Sequence, residues 1–234
     1  MKISLILPTR NRINNLKRLF TSIINTAHDL SNVEISFKVD TDDIKTIDFL
    51  SDFNNVKINN RLLISDRCGN RGKHWNDAWS NATGQVYEMC CDDYVFRTKD
   101  WDKIITDKFN EFPDKILFVF ADDGFQHGNC GVNAFIHKNW TDIMGYYASM
   151  NFKSYFHDAW NDDIAKRLNR RIYMPTIYIE HMHYMAHKAV RDITYAESED
   201  NRGNIDELAI YKNTVNEREE LVNKLQEFIN NYRS

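Results

Sequence analysis

The sequence comprises 234 residues with a formal net charge of -4, which suits one sizeable domain or a domain with an extension. This acidic balance argues against a protein that binds mainly through a nucleic-acid phosphate backbone, because such proteins usually carry a basic surplus. Four cysteines without a CxxC spacing indicate neither a disulfide framework nor a zinc knuckle. No window approaches the ~18 uncharged apolar residues of a membrane span, so we expect a soluble, cytoplasmic protein with no integral membrane span.

The first half of the chain alternates predicted strands and helices. An apolar run over 2–7, stopped by Pro8, predicts a buried strand near the centre of a sheet. A helix capped by Asn11 follows, with apolar residues at helical spacing. A second strand is predicted over 34–39, and it ends in an acidic turn over 40–43.

The same alternation continues to residue 121. The predicted elements are a helix over 44–53, a strand over 56–64, a loop over 65–74, a helix carrying Trp75 and Ala78, a strand over 87–91, a helix over 100–112 and a strand over 116–121. Such an order predicts an α/β fold with a mostly parallel central sheet flanked by helices. Ligands of such sheets bind beyond the carboxyl ends of the strands.

The second half is less regular. A strand is predicted over 132–137, helices over 139–147 and 157–169, and an extended segment over 172–181. Residues 186–205 are polar without periodicity, which favours a mobile loop or lid. We therefore predict one domain over 1–205 and a C-terminal amphipathic helix over 206–234, which packs on the domain or mediates a homodimer.

Two adjacent carboxylates, Asp92 and Asp93, directly follow the strand over 87–91. Like charges at this position repel unless a cation or protons intervene. Mn²⁺ and Mg²⁺ prefer carboxylate oxygens and often take substrate diphosphate oxygens as further ligands. The pair therefore indicates a divalent metal site, with a solvated turn of helix-capping acids as the alternative.

These motifs, taken in order, resemble a known family. KISLILPTRNR at the start, the acids after the second strand and CCDDYVF after a later strand resemble the inverting family 2 glycosyltransferases of the GT-A fold. The resemblance covers residues 2–100 and, more loosely, 155–190. It implies a GT-A fold, to which the C-terminal helix would be an extension, and transfer of a sugar from a nucleotide diphosphate donor, here expected to be a UDP-sugar. In this family a short Asp-x-Asp-like motif binds the donor phosphates through Mn²⁺ or Mg²⁺.

The resemblance also implies a set of donor-binding residues. The loop after the first strand resembles the first nucleotide-binding loop, and the acids after the second strand resemble those that meet the uracil or ribose. Cations in the loop over 65–74 precede a predicted helix, where a helix N-terminus favours a diphosphate; a solvated basic turn is the alternative. The residues assigned to the donor are Pro8, Thr9, Arg10, Arg12, Asp40, Asp42, Arg67, Arg71, Lys73 and Asp92.

Two histidines extend the predicted metal site. If EHMHY is extended, His181 and His183 point the same way, and enzymes of this fold often add a C-terminal histidine to the metal shell. Together with Asp92 and Asp93 they form the predicted ligand set. A structural or solvent-facing histidine pair is the alternative.

An inverting transfer needs a base that deprotonates the acceptor hydroxyl. The segment FHDAWNDDIAKRL resembles the acidic helix start of the family, although its register places Asn161 near the usual base position. We place the base at Asp158, then Asp162, then Asp163, with a solvated helix face as the alternative. Trp160 is a further candidate, for stacking on a sugar.

The acceptor cannot be read from these motifs. A hydroxyl on a glycan, a lipid-linked sugar, a protein or a hydroxymethylated DNA base fits the chemistry, and the chain resembles short stand-alone transferases of phages and bacteria. Two other functions compete with transfer. One is a non-catalytic nucleotide-sugar binding module, and the other is a sugar-phosphate nucleotidyltransferase, whose usual Gly-rich N-terminal signature is missing.

Overall fold

The structure is a computed structural model that describes residues 1–52 and 55–233, without the side chains at 198, 199, 201, 202 and 233. Two residues at predicted boundaries are not part of this range. Phe53, where the helix over 44–53 was expected to end, and Ser234, the end of the predicted C-terminal region, lie outside the described residues.

Strands and helices alternate along the described chain as the sequence predicts. The strands are β1 (Ile3–Pro8), β2 (Val33–Asp40), β3 (Asn59–Ser65), β4 (Val86–Met89), β5 (Tyr94–Phe96), β6 (Phe118–Asp122), β7 (Ala134–His137) and β8 (Arg171–His181). The α-helices are α1 (Ile13–Thr26), α2 (Ile44–Ser51), α3 (Arg71–Ser80), α4 (Trp101–Asn110), α5 (Lys138–Met144), α6 (His157–Arg167), α7 (Ile193–Arg202), α8 (Glu207–Asn213) and α9 (Val215–Arg233).

Among the described residues these strands form one eight-stranded sheet in the order β3-β2-β1-β4-β7-β6-β8-β5. Strands β3, β2, β1 and β4 are mutually parallel, and β6 is parallel to β8. Strand β7 runs antiparallel to both of its neighbours, and β5 runs antiparallel to β8. The carboxyl ends of six strands therefore meet at the same edge of the sheet.

Helices cover both faces of this sheet. Along β1, Leu5 and Leu7 face a core built with α1, α2 and α4, whereas Ile6 faces a core built with α3, α5, α6 and α9. Phe109 of α4 and Ile164 of α6 are fully buried in these two cores. Burying each such side chain stabilises the fold by about 1.5–3 kcal/mol. The cores thereby fix the strand ends and the loops that leave them.

The loop between β1 and α1 differs from the prediction. Arg12, rather than Asn11, occupies the N-cap position of α1, and its side chain makes no capping hydrogen bond. Asn11 instead adopts a left-handed backbone with φ of 55°, and its N–H donates to Asp43 Oδ2 at 2.7 Å. The acidic turn after β2 thus holds the loop that carries Arg10 and Arg12.

The C-terminal third also differs in detail. The polar segment over 186–205 contains α7, capped by Asp192, whose side chain accepts from Tyr195 N–H. The segment predicted as one helix forms α8 and α9, which meet at Thr214. Buried residues of α9, including Leu225, pack against α5 and α6. None of the helices in the described part of the chain has the length and apolar character to cross a membrane.

Candidate active site

A cavity of about 270 Å³ opens at the carboxyl edge of the sheet, between the loops after β1 to β4 and the segment from β8 to α7. Ligand sites of open α/β sheets lie at this edge. Most of the side chains predicted for donor and metal binding line it: Pro8, Thr9, Arg10, Arg12, Asp40, Arg67, Arg71, Asp92, Asp93, His181 and His183.

Two predicted donor residues are not among the described residues that line the cavity. Asp42 forms an ion pair with Arg10 at the rim. Lys73 is half exposed and pairs with Asp77, one turn along α3, at 2.6 Å. Neither residue contacts the cavity directly, so their assignment to the donor stays a prediction.

The adjacent carboxylates are buried and have separate partners. Asp92 Oδ2 accepts from Thr9 Oγ1 at 2.8 Å, and its Oδ1 accepts from Arg12 Nη1 at 3.0 Å. Asp93 Oδ2 accepts from the Tyr195 hydroxyl at 2.6 Å. Burial raises the pKa of the Asp92 carboxyl. Burial also acts to raise the pKa of Asp93, but His181 and Tyr195 outweigh it and leave that pKa below its usual value.

Backbone pairing explains why Asp93 meets His181. Strand β5 begins immediately after Asp93 and pairs antiparallel with the end of β8, so that Tyr94 lies opposite His181. The N–H of Met182 donates to the carbonyl of Asp93 at 2.9 Å. As a result His181 Nε2 lies 3.4 Å from Asp93 Oδ1. Burial lowers the pKa of His181, but Asp123 and Asp93 outweigh it and raise that pKa to about 9.

The predicted metal site fits this geometry in part. The described residues contain no group of three or more His, Cys, Asp or Glu side chains arranged to hold a metal ion. Within the same residues, Asp93 Oδ1 is buried without a hydrogen-bond donor. It lies 3.4 Å from His181 Nε2, and neighbouring ligands of an octahedral Mg²⁺ lie about 3 Å apart. Two such ligands suit an ion that takes its remaining oxygens from a diphosphate and water.

The other two predicted ligands are engaged differently. Both oxygens of Asp92 accept hydrogen bonds, from Thr9 and Arg12. His183 stacks on Phe125, with ring centroids 5.9 Å apart, and its Nδ1 accepts from Met185 N–H at 3.3 Å. Asp93 and His181 are therefore better placed than Asp92 and His183 for direct contact with a metal.

The far end of the cavity contains a buried ion-pair network around Asp40. The Lys38 ammonium pairs with Asp40, and the Lys38 side chain is only 1% exposed. Arg10 lies 3.2 Å from Asp40, and His74 lies 4.0 Å from it. Every residue of β2 is buried, because helices cover both faces of this parallel part of the sheet. The signal that identifies Lys38 is its position two residues before Asp40, on the same side of the strand.

Helix α3 points its N-terminus into the cavity. It begins at Arg71, so the predicted loop over 65–74 is helical in its last residues. Asn70 caps the helix by accepting from Lys73 N–H at 2.9 Å. Arg71 lines the cavity beside this end. A helix N-terminus next to a guanidinium favours an anion such as a diphosphate.

Helix α7 brings acidic side chains onto the cations of the cavity. Asp192 accepts from Arg12 Nε at 2.9 Å and from Arg12 Nη2 at 2.8 Å. Glu197 pairs with Arg67 at 3.0 Å and lies 3.6 Å from Arg10 Nε. Sequence reasoning missed both acids because α7 lacks an apolar stripe. Their partners lie more than a hundred residues earlier in the chain.

A second pair of carboxylates stands at the same edge. Asp122 is the last residue of β6 and Asp123 follows it, whereas Asp92 and Asp93 come shortly after the end of β4. Asp123 is 1% exposed, and its Oδ2 lies 3.8 Å from His181 Nδ1. The repeated Asp-Asp pattern after an apolar strand was the sequence signal that could have identified this pair.

The predicted catalytic carboxylates lie on α6, and none of them is among the described residues lining the 270 Å³ cavity. Asp162 forms an ion pair with Arg171 at 2.6 Å. Asp163 forms one with Arg218 at 2.6 Å. These two acids bind α6 to β8 and α9 instead of meeting the cavity.

Asp158 is placed differently from the other two. It lies in the first turn of α6, and its Oδ2 lies 3.8 Å from Cys130 Sγ. It lines a separate cavity of about 10 Å³ together with Gly131 and Asn161. Burial raises the pKa of its carboxyl. Trp160, two residues on, is 1% exposed and packs in the core, so it is not placed to stack on a sugar.

No protein-family model matches the sequence, and no curated protein matches it. Solved structures do share its fold. S. aureus TarS 1-349 in complex with UDP-GlcNAc superimposes with a TM-score of 0.60 at 16% identity, over 90% of this chain and 69% of that chain. The mannosyltransferase PcManGT from Pyrobaculum calidifontis, in complex with GDP-Man and Mn²⁺, gives 0.61 at 11% identity, over 97% and 85% of the two chains.

The chain spans 36% of the length of another S. aureus TarS structure and 60% of TarS 1-349 in complex with UDP. Identities of 11–17% establish a shared fold. The predicted GT-A architecture, an α/β domain with a mostly parallel sheet flanked by helices, is thereby confirmed. Membership of family 2 stays a prediction.

Proposed function

We propose that this chain is a metal-dependent glycosyltransferase that moves a sugar from a nucleoside diphosphate donor to an acceptor hydroxyl, with inversion. The donor we expect is a UDP-sugar. One observation carries the proposal: a single cavity at the carboxyl edge of the sheet joins the Asp40 network, a row of arginines and the Asp93–His181 pair. These three parts match a nucleoside, a diphosphate and a divalent ion in that order.

The diphosphate would lie among Arg10, Arg12, Arg67 and Arg71, at the N-terminus of α3. Guanidinium groups bind phosphate oxygens by paired, charge-assisted hydrogen bonds. The helix terminus adds backbone N–H groups and a partial positive charge. This region of the chain therefore supports binding of a dianionic group despite the acidic net charge.

Asp93 and His181 would hold Mn²⁺ or Mg²⁺, each through one atom. When bound, such an ion supplies charge neutralisation for the departing diphosphate. Arg12 hydrogen-bonds Asp92 and thereby fixes the carboxylate next to Asp93. In this arrangement Asp92 does not bind the ion itself. It accepts hydrogen bonds from Thr9 and Arg12 and so orients both side chains toward the donor.

Asp158 is our candidate for the base that accepts the proton of the acceptor hydroxyl. Burial raises the pKa of its carboxyl, which brings it nearer to that of an effective base at neutral pH. It is half-buried at the start of α6, whereas Asp162 and Asp163 are held in ion pairs. The acceptor would approach past the loop that carries Cys130 and Gly131.

A donor screen tests the proposal. Nucleoside diphosphate release from UDP-, GDP- and other nucleotide sugars is measured with Mn²⁺, with Mg²⁺ and with chelator. We expect turnover with one donor class, at least tenfold faster with metal, and lost in Asp93→Asn. Asp107→Asn is the matched control, because Asp107 is an exposed acid on α4. An absence of metal-dependent turnover with every donor would overturn the proposal.

A non-catalytic nucleotide-sugar binding module is the second candidate. The observation that favours it is the separation of all three predicted base residues from the cavity. Micromolar binding of a nucleotide sugar without hydrolysis or transfer to any acceptor in the screen would support this reading over the first.

A further inference from the structure

The side chain of Asp123 is fixed by the loop that follows β6. Its Oδ1 accepts from three consecutive backbone N–H groups, those of Phe125, Gln126 and His127, at 3.0, 2.7 and 2.9 Å. The residue is 1% exposed. One oxygen is thus fully used by its own loop, and the second is left for another partner.

That second oxygen faces a histidine. Asp123 Oδ2 lies 3.8 Å from His181 Nδ1, which is longer than a hydrogen bond. Both atoms are buried, and neither has a hydrogen-bond partner within the described residues. The backbones are joined as well, since the His181 N–H donates to the Asp123 carbonyl at 2.9 Å. A buried donor and a buried acceptor are costly when unpaired, so a small movement that brings these two atoms within hydrogen-bond distance would stabilise the site.

The imidazole of His181 therefore lies between two carboxylates. Asp123 stands on its Nδ1 side at 3.8 Å, and Asp93 stands on its Nε2 side at 3.4 Å. A histidine binds a metal through one nitrogen only when that nitrogen is unprotonated, and a carboxylate on the other nitrogen fixes that state.

We propose that Asp123 is the positioning residue that makes His181 a metal ligand. Its Oδ2 accepts a hydrogen bond from Nδ1–H of His181, fixes the ring orientation, and leaves the Nε2 lone pair free for the ion beside Asp93. The inference deepens the proposed function, because the ion it serves is the one that function requires. It assigns Asp123 no contact with the donor sugar or with the reacting atoms.

The test uses Mn²⁺ alone, so that it does not depend on the donor. In Asp123→Asn the amide oxygen can keep the three backbone hydrogen bonds, while the amide N–H₂ points a donor at Nδ1. The ring then carries its proton on Nε2 and cannot bind the ion there. We expect a 10- to 100-fold loss of Mn²⁺ affinity, and loss of the ¹⁴N coupling of the bound ion in pulsed EPR.

Asp122→Asn is the matched control. Asp122 is the neighbouring acid, and its partners in the described chain are Tyr173, Gly124 and His127. We expect this variant to keep Mn²⁺ affinity within twofold and to keep the ¹⁴N coupling. His181→Ala identifies the nitrogen signal by removing it.

Mn²⁺ affinity and ¹⁴N coupling that survive in Asp123→Asn would overturn the proposal, as would a wild-type spectrum without a nitrogen ligand. If the variant fails to fold, ¹⁵N-histidine spectra of the wild-type protein saturated with Mg²⁺ decide the question. A protonated Nδ1 with a bare Nε2 at His181 supports the role of Asp123, and the reverse assignment overturns it.

The two proposals fail separately. Suppose that Mn²⁺ binds through a nitrogen and that this coordination is lost in Asp123→Asn, yet the wild-type protein releases no nucleoside diphosphate. The role of Asp123 is then supported and the proposed transferase activity is overturned. If turnover is metal-dependent but insensitive to Asp123→Asn, the transferase stands and the role of Asp123 falls.

Discussion

The hydroxyl of Tyr195 donates a hydrogen bond of 2.6 Å to Oδ2 of Asp93, joining α7 to the strand end that carries the candidate metal ligand. The same ring lies 4.1 Å from the guanidinium carbon of Arg12. Helix α7 is thus attached to the site by a hydrogen bond to a buried carboxylate and by a cation–π contact.

Removal of that hydroxyl should loosen α7. In Tyr195→Phe the lost hydrogen bond costs about 1 kcal/mol of local stability, which corresponds to about fivefold faster amide exchange in α7. Hydrogen–deuterium exchange measured by mass spectrometry checks this. Tyr232→Phe, at a half-exposed position on α9, should leave exchange in α7 unchanged. Equal exchange in the wild type and in Tyr195→Phe would contradict the attachment.

The acids of α7 should compete with a bound diphosphate. Asp192 and Glu197 pair with Arg12 and Arg67, and they are 40% and 30% exposed, so each pair is worth about 0.5–1 kcal/mol. Asp192→Asn combined with Glu197→Gln should therefore tighten UDP binding by roughly fivefold or more in titration calorimetry. Glu219→Gln, an exposed acid, serves as the control. Weaker UDP binding in the double variant would show that these acids assist the site.

The buried acid Glu34 should make stability depend on pH. Burial raises its pKa, but Lys2, Ser4 and Thr83 outweigh this and lower the pKa to about 2. A carboxyl whose pKa is lower in the folded state stabilises the protein above its unfolded pKa, and that stability is lost as the pH falls toward the folded pKa. Between pH 5 and pH 3 this group should cost about 2 kcal/mol of unfolding free energy.

Urea unfolding at the two pH values measures this loss. Glu34→Gln should show a shallower pH dependence by about the same amount, since the amide does not titrate. Glu111→Gln, at an exposed position, should follow the wild-type slope. A variant at position 34 with the wild-type slope would mean that other groups dominate the acid response.

Helix α9 should be an integral part of the domain. Leu225 is fully buried against the core that contains α5 and α6, so Leu225→Ala should lower the unfolding free energy by about 3 kcal/mol. Leu208→Ala, at a half-exposed position on α8, should cost less than about 1 kcal/mol. Denaturant titration gives both values. Sedimentation of the wild-type protein tests the predicted homodimer separately, because Leu225 is buried within its own domain.

Much of the site could be predicted because its signals are local. The apolar run before Pro8 and the carboxylates after β4 mark strand ends, and parallel strands gather their carboxyl ends at one edge. Only the first two residues of EHMHY lie on the extended strand β8, which ends at His181 before a 3-10 turn over Tyr184–Ala186, and the pairing of β5 with β8 brings His181 to Asp93. Here short-range pattern and topology agree.

The parts that could not be predicted depend on contacts between distant residues. Lys38 is buried because helices pack on both faces of its strand, and the alternation of polar and apolar residues does not show which faces a helix covers. Asp162 looked available for catalysis until the fold placed Arg171 beside it. Tyr195 and Asp192 lie in a polar segment whose helix contacts Asp93 and Arg12, both distant in the sequence. Such pairings leave no periodic trace in the sequence.

The pairing of β5 with β8 also bears on when the site assembles. Asp93 and Met182 are joined by one backbone hydrogen bond across a long stretch of intervening chain, so this contact exists only once the two halves of the sheet have come together. In a molecule whose β8 had not paired with β5, the imidazole of His181 would be remote from the carboxylate of Asp93. Binding of the metal ion would then require the completed tertiary fold, and hydrogen exchange of the Met182 amide would report when this pairing has formed.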